Sequence, residues 1–218
     1  MAQSPALPAE QYNYDIVRKF TIMAIVWAVL GMSVGVYIAS ELAWPFLNFD
    51  IPQITFGRLR PVHTTLVIFG FGGSALFATA YYVVQRTCQA RLAFPWLAEF
   101  TFWGWTGGVA LGVITYMMGI TQGRECADFE WPLGVAVAVV WVSYIVIYVE
   151  TIRRRSQPHI YVANWFYLAF LLAVALLHIF NNLAVPVSLT KSYSLFSGVQ
   201  DAMTQWWYGH NAVGFFLT

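Results

Sequence analysis

The feature that most constrains this chain is a series of long stretches without any charged residue. Six of them occur, at residues 20–40, 62–85, 100–120, 131–149, 156–190 and 202–218. A bilayer core of about 30 Å needs roughly 20 apolar residues as an α-helix, and most of these stretches reach or approach that length. Only 10% of the 218 residues are charged, against roughly 25% in a soluble domain. We therefore predict an all-α, polytopic membrane bundle of about six spans, forming one transmembrane domain over residues 1–218.

The distribution of basic residues predicts an N-terminus on the inner side. With this topology the inner segments hold seven basic residues, namely Arg18, Lys19, Arg86, Arg91, Arg153, Arg154 and Arg155. The outer loops hold four, namely Arg58, Arg60, Arg124 and Lys191. This asymmetry follows the positive-inside rule.

The polar start of the chain does not resemble a signal peptide, and the net charge of +1 gives no indication of nucleic-acid binding. The last apolar stretch reaches Thr218 without a polar flank, so we expect the front part of a longer protein.

The cysteines and two of the four histidines are predicted to be structural. Cys88 and Cys126 fall on opposite sides of the membrane in this topology and cannot form a disulfide with each other. His159 follows three arginines in an inner loop, where we expect it to be solvated. His178 lies near the outer end of a span and is interpreted as a histidine hydrogen-bonded at a helix end.

His63 and His210 lie within spans, where an ionisable residue is costly and is a candidate for function. With a helical period of 3.6, Val67, Gly70 and Ser74 share the face of His63. Small residues there leave room for a flat group such as haem beside Gly70, or else allow close packing of two helices. Haem iron takes an imidazole ligand, and guanidinium groups suit haem propionates. Arg58 and Arg60, just before His63, are candidates for that second role.

Four motifs in this chain resemble a known family. "FGRLRPVHT", "YYVVQRTC", "KSYSLFSG" and "QWWYGHNAVGFFLT" look like the catalytic subunit of cbb3-type cytochrome c oxidases, the C branch of the haem–copper oxidases. The resemblance extends over about residues 12–218 and covers about the first half of that subunit. It implies the subunit I fold and a multi-pass location in the bacterial inner membrane.

The resemblance also implies roles for individual residues. His63 matches an axial ligand of the low-spin haem b, and His210 matches one of three histidines on copper B, which faces the high-spin haem b3. Arg60 matches a residue near the haem propionates. Glu125, in an outer loop, matches a carboxylate associated with a calcium ion that bridges those propionates.

Trp206 and Trp207, one turn before His210, are expected to approach propionates of the high-spin haem.

The residues around His210 favour copper over non-haem iron. Mitochondrial-type oxidases carry a tyrosine four residues after the copper histidine, and the related nitric oxide reductases carry a glutamate there. This chain has Gly214 at that position, so no carboxylate is available for iron. A nitric oxide reductase-like relative and a non-catalytic haem-binding membrane module remain alternatives.

The implied function is that of a terminal respiratory oxidase. Electrons arrive from soluble cytochrome c through membrane-anchored c-type cytochrome subunits, dioxygen is reduced to water, and protons are translocated. Glu99 and Glu150, at inner helix ends, are interpreted as interfacial anchors. The haems and copper need at least six histidines, whereas this chain has four, so we expect it to be inactive by itself.

Overall fold

The computed structural model describes residues 12–217, with side chains as far as residue 214. Within this range the chain forms seven α-helices and one short β-hairpin: α1 (Tyr14–Ala43), α2 (Phe56–Thr65), α3 (Ser74–Cys88), α4 (Pro95–Met117), α5 (Trp131–Arg153), α6 (Val162–Asn181), β1 (Ala184–Ser188), β2 (Lys191–Ser194) and α7 (Gly198–Leu217). Thr218, where the sequence predicts an unfinished span, lies outside the described residues.

The helices begin where local chemistry favours a start. The Asn13 side chain accepts a hydrogen bond from the backbone N–H of Ile16 and caps α1. Prolines occupy the first turns of α4 and α5, where a missing N–H costs no intrahelical bond. By length and composition, α1, the continuous rod Phe56–Cys88, α5 and α6 can each cross a membrane. With α4 and α7, of 23 and 20 residues, the bundle agrees with the prediction of about six spans.

The rod Phe56–Cys88 contains an irregularity that the sequence does not predict. Between α2 and α3 the backbone forms π-helical turns over Leu66–Gly73, with i→i+5 in place of i→i+4 hydrogen bonds. The wider turn rotates every later residue relative to His63. Val67 and Gly70, predicted to share the face of His63, still face α1: Val67 lies against Gly31 and Gly70 against Trp27, and the His63 ring contacts Gly31 and Gly35 of the same helix.

Successive spans run in alternating directions, as predicted. At one end of the bundle the backbone N–H of Asn13 donates to Oε1 of Gln85 at 2.7 Å, and that of Ser156 donates to the Cys88 carbonyl at 3.0 Å. At the other end Nε2 of Gln122 donates to the Ser192 hydroxyl at 3.1 Å. Cys88 and Cys126 belong to opposite ends and both are free, which confirms that they do not pair. Assignment of the first end to the inner side stays a prediction.

An aromatic cluster holds the centre of the bundle. The ring of Phe77 on α3 stacks on Phe20 of α1 at 4.6 Å and on Tyr144 of α5 at 4.0 Å, measured between centroids. Trp141 of α5 and Trp105 of α4 pack around them. Stacked and edge-on aromatic pairs each contribute roughly 0.5–1.5 kcal/mol beyond burial, so this cluster fixes how α1, α3, α4 and α5 meet.

A β-hairpin follows α6, where the sequence shows only the end of an apolar stretch. Helix α6 ends at Asn181, and β1 pairs antiparallel with β2 in the register Val185 opposite Tyr193. Ser192 of β2 is buried and bonded to Glu130 and Gln122. The stretch 156–190 is thus one span followed by the first strand of a hairpin.

Candidate functional site

The His63 side chain is held between two helices. Its Nδ1 lies 2.8 Å from the carbonyl oxygen of Gly31 on α1, and since a carbonyl only accepts, Nδ1 carries the proton. This tautomer directs the lone pair to Nε2. A Cβ added at Gly35 would lie 2.6 Å from Cε1 of the ring, so the imidazole occupies space that any other residue would fill. An imidazole held by a backbone carbonyl, with Nε2 left to bind, is the usual arrangement of a metal-ligating histidine.

The open space expected beside Gly70 is occupied by protein. A Cβ at Gly70 would meet the side chain of Trp27 from α1 at 2.9 Å, and a Cβ at Gly73 would meet the ring of Trp105 at 2.6 Å. The indole Nε1 of Trp105 also donates to the Phe69 carbonyl at 3.0 Å. These glycines therefore serve close helix packing, the alternative to a cofactor slot, and a haem face beside Gly70 is not supported.

The two arginines before His63 have separate roles. A guanidinium nitrogen of Arg60 lies 2.5 Å from Oε1 of Glu125, with both side chains about half exposed. Arg58 instead donates to the carbonyl of Met117 at 2.8 Å, where a cation suits the C-terminus of α4. The structure thus joins Arg60 and Glu125, two residues predicted for one site, and directs Arg58 to helix capping.

Asp128 lies in the same outer loop as Glu125. Burial raises the pKa of the Asp128 carboxyl to about 6, against the opposing effect of the nearby Arg60 guanidinium. Burial also raises the pKa of the Cys126 thiol, with the Glu125 carboxylate adding to the effect. Burial in this loop therefore favours the uncharged forms of Asp128 and Cys126.

His210 lies on an exposed face of α7. Its ring is 5.9 Å from that of Trp206, one turn earlier, and Trp206 is itself exposed. Trp207 contacts the ring of Phe180 edge-on at 6.2 Å. The two tryptophans thus point to different neighbours, Trp206 beside His210 and Trp207 towards α6.

An apolar cavity separates the helices that carry His63 and His210. Its volume is about 470 Å³, and one wall is the π-helical segment while the other is α7 around Gly209 and Ala212. Tyr208 and Cys126 close one side. Neither histidine lines this cavity, and within residues 12–217 no group of three or more His, Cys, Asp or Glu is placed to hold a metal ion.

The other two histidines are placed as predicted. Nε2 of His178 lies 3.0 Å from the carbonyl of Gly134, and the Asn182 amide lies 3.2 Å from its Nδ1. With both nitrogens satisfied, His178 is a structural residue at the end of α6. His159 is exposed in the loop between α5 and α6. Glu99 pairs with Lys19 at 2.6 Å, and Glu150 pairs with Arg153 and Arg154; their role as interfacial anchors stays a prediction.

Sequence reasoning missed the residues that support the site. Gly31 and Gly35 are four apart in an otherwise bulky apolar helix, a spacing that signals a close approach on one face. Arg124 is only 7% exposed, although its sequence neighbours indicate an ordinary hydrated loop. Nothing in the local sequence around Arg124 predicts its burial.

Comparison with known proteins agrees with this architecture. A family model described as cytochrome c and quinol oxidase polypeptide I matches residues 15–218. The chain is 58% identical over 207 residues to the cbb3-type cytochrome c oxidase subunit CcoN1 of Stutzerimonas stutzeri, covering 95% of this chain and 44% of that protein. It is 53% identical to a cytochrome c oxidase subunit 1 homolog of Azorhizobium caulinodans, covering 95% and 38%. It is 52% identical to cytochrome c oxidase subunit 1 of Rhodobacter capsulatus, covering 98% and 41%.

These matches identify the family and the extent of the similarity. The chain spans less than half of the length of the curated relatives that it matches. The family model nevertheless covers almost all of the chain, including the helices that carry His63 and His210. The chain therefore belongs to the cytochrome c and quinol oxidase polypeptide I family, the subunit I family of the haem–copper oxidases.

Proposed function

We propose that this chain is the N-terminal part of the catalytic subunit of a cbb3-type terminal respiratory oxidase. The complete enzyme reduces dioxygen to water with electrons from cytochrome c and translocates protons across the bacterial inner membrane. Its partners are membrane-anchored c-type cytochrome subunits, which receive electrons from soluble cytochrome c. Identity of 58% to a cbb3-type subunit supports this proposal.

The observation that carries the proposal is the environment of His63. The Gly31 carbonyl holds Nδ1, and Gly35 gives the ring a place against α1. Nε2 would then be free to bind the iron of the low-spin haem b, and the tautomer of the ring fits that role. When bound, the haems and copper B supply the electron transfer and oxygen chemistry, while the protein supplies ligands, burial and charge.

Arg60 and Glu125 are proposed to act beside the propionates. The guanidinium has five N–H donors, and its contact with one oxygen of Glu125 at 2.5 Å leaves donors for a second carboxylate. Glu125 is proposed as one ligand of a calcium ion, for which carboxylate oxygens are suited. This pair also brings α2, which carries His63, against the loop between α4 and α5.

His210 is proposed as a ligand of copper B. It lies on the face of α7 turned away from the loop between α4 and α5, with Trp206 beside it. Gly214, one turn later, offers no carboxylate, and an imidazole donor set suits copper better than iron. Trp206 is proposed to approach a propionate of the high-spin haem b3. Trp207 contacts Phe180, which supports that role less.

The experiment is a set of histidine variants in the complete oxidase. His63→Ala should remove the low-spin haem b spectrum while the protein still inserts into the membrane, and His210→Ala should remove copper. His159→Ala, in the exposed inner loop, is the matched control and should change neither. A normal six-coordinate b-type spectrum in His63→Ala contradicts the ligand assignment. Non-haem iron in place of copper would favour a nitric oxide reductase.

A further inference from the structure

The loop between α4 and α5 is bound to α7 along one helix face. Three consecutive loop residues make these contacts. The Arg124 guanidinium pairs with Asp201, the Glu125 carbonyl accepts from Nε2 of Gln205 at 3.4 Å, and the Cys126 carbonyl accepts from the Tyr208 hydroxyl at 2.9 Å. The three residues of α7 are spaced i, i+4 and i+7, which places them on one face over about 10 Å of helix.

The contact at Arg124 involves the largest number of partners of the three. Arg124 is 7% exposed, and its guanidinium donates to the Asn181 carbonyl on α6, to the Ser194 hydroxyl on β2 and to Asp201 on α7. The Ser194 hydroxyl also donates to Asp201 at 2.5 Å. A buried cation with three acceptors on three elements fixes all of them together, because any displacement leaves a charged group unpaired in a dry environment.

The loop itself is rigid enough to transmit this constraint. Its two ends are joined by the Gln122 N–H and the Thr121 hydroxyl, which both donate to the Asp128 carbonyl at 2.9 and 3.1 Å. Cys126 is held at a φ of 61°, a left-handed conformation that a non-glycine residue keeps only when its surroundings enforce it. That conformation lies at the carbonyl that receives the Tyr208 hydroxyl.

The same loop reaches both predicted metal-ligand helices. Glu125 pairs with Arg60, three residues before His63, while its neighbours on both sides hold α7. Tyr208 is buried against the loop and His210 is exposed, because two residues of α-helix rotate the side-chain direction by about 200°. The rotation of α7 about its axis therefore decides where the His210 imidazole points.

We propose that Arg124 is a positioning residue for the metal centre. Its ion pair with Asp201 fixes the rotation and height of α7 against the loop, which directs His210 away from the loop. The inference rests on the proposed role of His210 as a copper ligand. It assigns to Arg124 and Asp201 an effect on copper binding that does not depend on the haem held by His63.

The test measures copper per haem in the complete oxidase expressed at limiting copper. Arg124→Gln and Asp201→Asn should each lower the apparent copper affinity by about tenfold or more, as loss of a residue that orients a metal ligand commonly does. The low-spin haem spectrum from His63 should stay unchanged. Arg124→Lys keeps the charge but loses the planar fork, so it should restore copper only in part. Arg153→Gln, an exposed arginine at the opposite end of the bundle, is the control and should bind copper normally.

A milder variant keeps the test decisive if the Arg124 variants do not assemble. Tyr208→Phe removes one hydroxyl from the same face and should lower copper affinity by roughly threefold, the effect of one buried hydrogen bond. Normal copper in Arg124→Gln or in Tyr208→Phe overturns the proposal, provided that His210→Ala lacks copper. If His210→Ala retains copper, the proposed function of His210 is wrong instead. Parallel loss of copper and low-spin haem would show a general structural role and would also overturn it.

Discussion

Replacing Gly35 by alanine should displace the His63 ring and weaken haem binding at that histidine. The new Cβ would lie 2.6 Å from Cε1 and 2.8 Å from Nδ1 of His63, whereas ordinary van der Waals contact begins near 3.4 Å. The ring therefore has to move about 0.8 Å away from α1. Such a movement lengthens the 2.8 Å bond from Nδ1 to the Gly31 carbonyl beyond hydrogen-bond range.

The expected loss of haem affinity follows from the steric overlap and from the lost hydrogen bond. Overpacking of this kind costs about 1–3 kcal/mol, and loss of a hydrogen bond adds about 1 kcal/mol. Together these are about 2–4 kcal/mol, and since about 1.4 kcal/mol corresponds to a factor of ten, we expect the low-spin haem to bind roughly 30- to 1,000-fold more weakly. Alanine also favours a helix over glycine by about 1 kcal/mol, which raises stability slightly and must be controlled for.

The assay compares haem content and the reduced b-type spectrum of the complete oxidase in wild type, Gly35→Ala and Gly107→Ala. Gly107 lies inside α4, and a Cβ there would meet nothing within 4 Å, so its variant shares the helix effect without the clash. Gly107→Ala should match wild type. If Gly35→Ala binds haem as well as Gly107→Ala does, the packing of His63 against α1 does not hold the ligand.

Four further predictions concern the outer loop and the chain as a whole. Arg60→Gln should lower the low-spin haem potential by roughly 50 mV, about one power of ten in the reduction equilibrium, because a cation favours the electron-rich state; an unchanged potential in a redox titration means that Arg60 faces water. Glu125→Gln should lower calcium per haem by elemental analysis and reduce activity, and equal calcium would leave Glu125 as a partner of Arg60 alone. Burial raises the pKa of Asp128 to about 6 from an ordinary 3.8. The protonated carboxyl therefore adds to the free energy of unfolding below about pH 4, and this contribution is lost as the pH rises through about 6. Thermal melts should show a melting temperature that falls over this pH range in wild type but not in Asp128→Asn. Finally, the 218-residue chain alone should not consume oxygen with reduced cytochrome c, and normal turnover would falsify the assignment of His210 as one ligand among several.

The class of the protein and its candidate ligands follow from the amino-acid sequence. Charge-free stretches of about 20 residues admit few structures other than membrane helices, because every backbone polar group in lipid must be bonded within its own segment or sheet. A histidine in such a stretch is a candidate for function, because an ionisable residue within a membrane span is costly. His63 and His210 are accordingly candidates from their positions within spans, and Arg60 from its place before His63; motif resemblance adds Glu125 and the copper role of His210.

The residues that surround these candidates in the folded bundle cannot be predicted from the sequence in the same way. The π-helical turns over Leu66–Gly73 do not follow from the sequence, although Val67 and Gly70 face α1 as His63 does. Gly70 is expected to leave room for a cofactor, but Trp27 of α1 fills the space. Which group enters a gap depends on the helix opposite, and a linear sequence does not state which helices are opposite.

The apolar spans, their alternation and the residues with metal-binding chemistry are fixed by side-chain type and by spacing along one helix, and these are properties of the sequence. Three contacts depend instead on the folded bundle: the Gly31 carbonyl holds His63, Arg60 meets Glu125 across 65 positions of sequence, and Arg124 is buried among α6, β2 and α7. They join segments far apart in the chain, and their geometry is set by packing at helix ends. A charged residue in an outer loop looks the same in sequence whether it is hydrated or buried, and only its partners distinguish the two.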